Sequence, residues 1–337
     1  MPAPAAGFWK QHFNFVTLDV GTRFRYIDAN PGRVTSRDQQ YRLSTRLLIK
    51  LTPEGRSYFH MRGETGSRFN STWSNTGMGL SDRQWVFNMK SFYFGQKLGN
   101  HFEAQLGGLD YERGVATEAT SADNDGFLVG YRGIVNTSGK GWAPNKIIVT
   151  IGHLGDFGVM NVYARLYHRI DEANFGQVVV QKAFTTQHEA SLEYNTIEGV
   201  DYVRGAYRWK KIPARLFDEL QLEALSRATE NATFGWSTAL SKSFATPNAW
   251  KFTLLYSDVP RQMFNNFGQQ ILENGDTVAL GKRMGGTMSV TPVAAWKDFS
   301  VQMHASRRLD DSGLAPRWRA QVIASYKLAG IANKLFR

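Results

Sequence analysis

The chain has 337 residues, no cysteine and a formal net charge of +11. The lack of cysteine excludes a disulfide scaffold and zinc sites built on cysteine. A single soluble core rarely grows beyond about 250–300 residues, so one continuous pattern over this length would favour a closed barrel or a propeller.

The first residues, MPAPAAGFW, contain no charged region and no long apolar core, so we do not expect them to form a signal peptide. The APAA stretch nevertheless resembles the small-residue end of such a peptide. We therefore expect residues 1–12 to be a leader-proximal remnant of an exported chain and residues 13–337 to form one domain. A disordered N-terminus of a soluble protein is the alternative.

The first two predicted elements, FVTLDVGTRFRYID and YRLSTRLLIK, alternate apolar side chains with polar or cationic ones. Side chains two positions apart lie on the same face of a strand. The same period recurs in RQWVFNMKSFYFG, HFEAQLG, DYVRGAYRWK, ELQLEAL, WKFTLLYS, FSVQMHASR and RWRAQVIASY. A helical chain would not repeat it so often, and we predict an all-β fold of about 16 strands.

Turn signals divide the chain into segments of about 9–11 residues, the length that a tilted strand needs to cross a membrane. Short connections such as 52–55 and 184–187 alternate with long ones such as 66–83, 107–126 and 154–174. Aromatic residues fall near strand ends on the apolar face. This arrangement predicts a closed antiparallel transmembrane β-barrel with short periplasmic turns, long extracellular loops and aromatic girdles.

In these features the chain resembles a general porin of the Gram-negative bacterial outer membrane. The resemblance implies a water-filled channel for passive diffusion of small hydrophilic solutes, contact with outer-membrane lipid, and a homotrimer. In that family the connection between the fifth and sixth strands folds inward, and 107–126 occupies that position here. Such barrels usually end on an aromatic residue, whereas this chain ends Phe336-Arg337, which leaves the end of the last strand open.

Basic residues are predicted to line one side of the pore. Barrel closure makes the last strand a neighbour of the first, so four adjacent strands contribute inward arginines. These are Arg317, Arg319, Arg23, Arg25, Arg42, Arg46 and Arg62. Arginine is always charged and presents a planar fork to carboxylate or phosphate, so small anionic or neutral solutes are expected to pass. The alternative is that each arginine pairs with a nearby acid such as Glu64.

Acidic residues are predicted to lie on the far wall and on the inward loop, giving a transverse field. Those on the wall or loop are Asp110, Glu112, Glu118, Asp123, Asp125, Glu219 and Glu223, with Glu189 and Glu193 beside the last two. Either 107–126 or 154–174 is expected to narrow the pore, and the Gly107-Gly108 pair is expected to bend the chain inward.

No sequence motif points to catalysis or to a bound cofactor. The histidines show neither HxxxH nor HExxH spacing, and SADNDGFLVGYR has Arg132 where a calcium loop needs glutamate. We expect no enzyme activity, cofactor, metal or nucleic-acid partner, since arginines and aromatic residues lie on opposite faces. Two other functions remain open: a substrate-specific or export barrel for an anionic polysaccharide or organic acid, and a soluble β-rich binding protein.

Overall fold

Sixteen strands of the described chain form one closed antiparallel sheet in the computed structural model. The structure describes residues 11–28, 36–66, 73, 87–117, 128–154, 162, 166, 172–213, 215–228, 232–244, 248–260, 263, 281–293, 295–310 and 317–335. The predicted all-β barrel of about 16 strands is confirmed.

The strands follow each other around the barrel in chain order. They are β1 (Phe13–Asp28), β2 (Ser36–Lys50), β3 (Ser57–Thr65), β4 (Phe87–Leu98), β5 (Phe102–Leu109), β6 (Leu128–Asn136), β7 (Lys146–Leu154), β8 (Phe175–Ala183), β9 (His188–Ile197), β10 (Val200–Lys210), β11 (Glu219–Arg227), β12 (Thr233–Phe244), β13 (Trp250–Val259), β14 (Gly281–Val290), β15 (Phe299–Arg308) and β16 (Trp318–Lys327).

Pairing of β1 with β16 closes the sheet. The register places Arg23 opposite Ile323 and Ile27 opposite Arg319, and β1 pairs with β2 on its other side. Because each of these sixteen described strands thus has two neighbours, none of them presents an open edge. This is the condition under which a β-sheet can lie in hydrocarbon, where water cannot satisfy free backbone groups.

The two faces of the strands differ as the alternation predicts. Along β13, Leu254 is 41% exposed on the outer face, whereas its neighbour Leu255 is 5% exposed and faces inward. Exposed aromatic residues recur on the outer face of other strands, among them Phe24, Trp236 and Trp318. A soluble protein would rarely expose such a band of apolar side chains. None of the helices in the described part of the chain is long and apolar enough to cross a membrane.

The connections do not alternate in length as strictly as the sequence pattern suggested. The connection between β9 and β10 is only 198–199, although it lies at the same end of the barrel as 110–127. Both Glu198 (φ 49°) and Gly199 (φ 79°) adopt positive φ, the backbone signature of a two-residue type I′ hairpin turn. A tight hairpin therefore interrupts the series of longer connections at that end.

A short helix, Ala329–Leu335, follows the last strand, which ends at Lys327. Asn333 both donates to the carbonyl oxygen of Phe15 and accepts from its N–H, each at 2.8 Å. The register of β1 and β2 shifts between Phe15 and Thr17, so the Asn333 amide binds backbone groups beside an irregular point of the ladder. The helix thus forms a cap against β1 and does not continue the sheet.

A cluster of buried apolar side chains lies at one end of the barrel, toward the connection 110–127. It comprises Leu109, Tyr111, Leu128, Leu154, Phe175, Ile197, Tyr202, Leu225, Val259 and Met263. At these strand ends, apolar side chains are therefore buried inside the barrel as well as exposed on its outer face. There, apolar side chains pack against chain segments inside the barrel, because this packing removes apolar surface from water.

We predict that Leu254→Arg destabilises the barrel by roughly 2–4 kcal/mol, as a charge on the lipid face near mid-strand does. Thr253→Arg, one residue away on the cavity side, is the matched control and should cost little. Urea unfolding in phospholipid vesicles, followed by tryptophan fluorescence, measures both free energies of unfolding. Equal losses at the two positions would contradict the assigned faces.

Candidate pore and its lining

Residues 110–117, called here the inner segment, lie against the inner wall of the barrel. The N–H groups of Gly114 and Val115 donate to Glu193 Oε1 at 2.7 Å and to Ser191 Oγ at 2.9 Å. Gln177 Nε2 donates to the carbonyl oxygen of Glu112 at 2.8 Å. Side chains of β8 and β9 therefore satisfy peptide groups that have no partner within the segment, as buried backbone requires.

Two buried arginines fix the ends of the inner segment. Arg132 on β6 donates to the carbonyl oxygen of Asp110, and Arg204 on β10 donates to that of Val115 at 2.6 Å. Arg204 also forms ion pairs with Glu193 at 2.5 Å and Glu223 at 3.0 Å. The alternation of β10 places Arg204 on the inner face, but no local signal in the sequence identifies its partners.

Tyr111 attaches the inner segment to the apolar cluster. Its ring meets the ring of Phe175 edge-on, at 6.0 Å between centroids, and its hydroxyl donates to Asn195 Oδ1 at 3.4 Å. Burial raises the pKa of Tyr111 above its ordinary value, so the phenol stays neutral. The segment is thus held by both apolar packing and polar contacts.

The chain does not turn inward at Gly107-Gly108 as expected, because β5 continues to Leu109. Gly108 instead gives space to Val162, which is fully buried and would overlap a Cβ at that position. Val162 belongs to the connection between β7 and β8. A side chain of that connection therefore packs against β5.

On the side of the lumen opposite the inner segment, Arg23 and Arg42 contact the same aromatic ring. The guanidinium carbon of Arg23 lies 4.7 Å from the centroid of the Trp73 ring, and that of Arg42 lies 5.0 Å from it. Gln40 Nε2 donates to the carbonyl oxygen of Trp73 at 2.8 Å, and Gln40 Oε1 accepts from Arg23 at 2.7 Å. Sequence reasoning missed Trp73, because it lies outside the alternating segments.

The other arginines predicted to line the pore have different surroundings. Arg25 pairs with Asp38 at 2.9 Å, and Arg62 pairs with Glu64 at 2.9 Å and with Asp110 at 3.4 Å. Arg25 and Arg62 are therefore paired with acidic residues, as the alternative prediction for the arginines stated.

The remaining three lie on β2, on β16 or just before β16. Arg46 lies directly opposite Arg62 and has no ion pair among the described residues. Arg319 is buried on β16, and Arg317 is exposed just before that strand begins. The structure thus places the seven predicted arginines on or beside four adjacent strands.

Two further inward arginines extend this wall. Arg283 on β14 lies opposite Arg308 on β15, and it is close enough to both Arg308 and Arg319 on β16 for electrostatic interaction with each. The wall therefore runs over six neighbouring strands, from β14 through β16 and β1 to β3. The sequence signal for Arg283 and Arg308 was the same alternation that identified the others.

The acidic residues predicted for the far side are ion-paired where the structure describes them. Glu219 lies 3.6 Å from Lys251, Glu223 pairs with Arg204, and Glu112 pairs with Arg132 at 3.6 Å. Asp110 contacts Arg62, as noted above. The predicted loop acids Glu118, Asp123 and Asp125 lie outside the described residues.

An open cavity of about 440 Å³ remains inside the barrel beside the inner segment. Its walls come from β2, β10 to β16, the inner segment and Trp73. The lining residues carry four cationic side chains and one acidic one, namely Arg42, Arg113, Arg208 and Lys251 against Glu219. Groups of acidic and histidine side chains that could hold a metal ion are absent from the described part of the chain.

The fold is shared with solved porin structures. One variant of the Rhodopseudomonas blastica porin is 10% identical to this chain with a TM-score of 0.60, and a second is 9% identical with a TM-score of 0.61. A third structure, described under asymmetric conductivity of engineered proteins, is 11% identical with a TM-score of 0.59. In each case the match covers 94% of this chain and 99% of the other. No family model and no curated protein matches the sequence.

We predict that Arg204→Met destabilises the barrel by about 3–5 kcal/mol, because removing one partner leaves buried charges without compensation. The variant that combines Arg204→Met with Glu193→Gln and Glu223→Gln should recover part of this loss, because both buried carboxylates are then replaced by neutral amides. Urea unfolding of detergent-solubilised protein measures the difference. A wild-type unfolding midpoint for Arg204→Met would show that Arg204 does not hold the inner segment.

Proposed function

We propose that the protein is an outer-membrane channel through which small hydrophilic solutes diffuse passively. The observation that carries the proposal is a polar, charged cavity inside a closed barrel whose outer face is apolar. Sixteen strands make a barrel wide enough for an aqueous lumen. The likeness to porin structures supports the same reading through the shared fold. Catalysis plays no part in this proposal.

The channel is proposed to prefer anions. Of the four cations that line the cavity, Arg208 has Glu189 at 2.8 Å and Lys251 has Glu219 at 3.6 Å. Arg42 has no ion pair among the described residues, so its charge is uncompensated at the wall. A confined lumen between low-dielectric walls strengthens such a field, and added salt weakens it.

The surroundings of the channel follow from the same proposal. The apolar outer band would contact outer-membrane lipid, and the assembly is proposed to be a homotrimer, like the porins that the chain resembles. Residues 13–337 would form the barrel domain, with 1–12 preceding it. Neutral hydrophilic solutes would pass without help from the charged wall.

We expect the wild-type channel to be anion-selective when its reversal potential is measured in a planar bilayer under a potassium chloride gradient at low salt. Arg42→Gln should shift the reversal potential toward cations, because it removes the uncompensated charge. The preference should weaken as salt rises, since the Debye length falls from about 10 Å at 0.1 M to about 3 Å at 1 M.

Arg307→Gln is the matched control for this measurement. Arg307 lies on the outer face, where its guanidinium carbon lies 5.0 Å from the ring centroid of Trp318. The control removes the same charge without changing the cavity, so the reversal potential should stay at the wild-type value. Cation selectivity of the wild-type channel at low salt would contradict the proposed preference.

A further inference from the structure

The cavity wall contains apolar side chains that a purely polar diffusion path does not require. Leu255 on β13, Ile323 on β16 and Ala116 of the inner segment line the same space as the cations. Ile323 and Ala116 are partly exposed to it. Such a surface offers no favourable interaction to water, whereas contact with the hydrocarbon part of a solute lowers the free energy by removing apolar surface from water.

Arg42 is held in place but has unused hydrogen-bonding capacity. Its guanidinium carbon lies over the Trp73 ring, and Gln40 fixes Trp73 through the backbone carbonyl. The Nε atom of Arg42 is buried and has no hydrogen-bond partner among the described residues. The buried Nε is out of reach of a solute, but Arg42 lines the cavity, and contact through the face of its guanidinium leaves the terminal N–H groups without a partner among the described residues.

The chemistry of these terminal groups selects one class of partner. The two terminal N–H groups of a guanidinium form a planar fork that matches the two oxygens of a carboxylate. The nearby apolar surface disfavours a fully hydrated inorganic anion. The cavity volume of about 440 Å³ lies within the range of small-molecule sites, about 300–1,000 Å³.

We propose that this cavity is a binding subsite for small organic carboxylates, with Arg42 as the residue that binds the carboxylate. Ile323, Leu255 and Ala116 would contact the hydrocarbon part, and Trp73 would act as a positioning residue for Arg42. The inference rests on the proposed function and deepens it, since a diffusing solute must enter the lumen to reach the subsite. The channel would then conduct such anions with saturation, unlike an unspecific pore.

Benzoate is a suitable probe because it combines a carboxylate with an apolar ring. Added during single-channel recording in potassium chloride, it should reduce the chloride current in a saturable manner. Benzamide has the same ring without the charge, and sulfate has charge without the ring. Both should reduce the current far less at the same concentration.

Arg42→Gln should raise the benzoate concentration for half-maximal block about tenfold, the loss expected for one hydrogen bond to a charged group. Arg42→Lys keeps the charge but not the fork, so it should recover only part of the block. Arg307→Gln, on the outer face, should behave as wild type. Trp73→Phe should retain more of the block than Trp73→Leu, because only the former keeps an aromatic face for the guanidinium.

The outcomes separate the subsite from the channel itself. Wild-type channels that conduct chloride but show no saturable effect of benzoate would overturn the subsite and leave the proposed function intact. The same follows if Arg42→Gln and wild type are blocked equally. Absence of any conductance from correctly folded protein would overturn the proposed function and the subsite with it.

Discussion

The closing ladder between β1 and β16 is the constraint on which the rest of the structure depends. A sheet in hydrocarbon must pair all its backbone groups, so the strands have to form a ring. Once the ring closes, each strand has an outer face and a lumen face, and the period of two in the sequence follows. Closure also brings the arginines of β16 beside those of β1 and β2, although they are far apart in the chain.

The lumen of this barrel is a packed interior on one side and an open cavity on the other. The inner segment follows the wall that carries β6, β8, β9 and β10, where Arg132 and Arg204 hold it. Those arginines are structural, since each neutralises carboxylates and binds backbone carbonyl groups. On the open side, Arg42 has no ion pair within the part of the chain that the structure describes. The number of inward charges alone therefore does not give the electrostatic field in the open part of the lumen, because the charges that hold the inner segment are already paired.

The strands, their inner faces and the closure could be predicted from the sequence because they depend on a local period. The anchors of the inner segment could not, because Arg204 and Val115 are 89 positions apart in the chain, with the whole of β6 to β9 between them. The apolar cluster around Phe175 was missed for a related reason. From the sequence alone, an inward apolar residue cannot be distinguished from an apolar residue on the outer face. Its burial follows only from the position of the folded inner segment.

The central claim is that alternate residues of each strand meet water inside the barrel while their neighbours meet lipid. The natural absence of cysteine allows a direct test with single substitutions along β13, reacted in vesicles with membrane-impermeant thiol reagents. Thr253→Cys should react, and faster with an anionic reagent than with a cationic one, whereas Phe252→Cys and Leu254→Cys should not. Equal labelling at Thr253→Cys and Leu254→Cys would contradict the account.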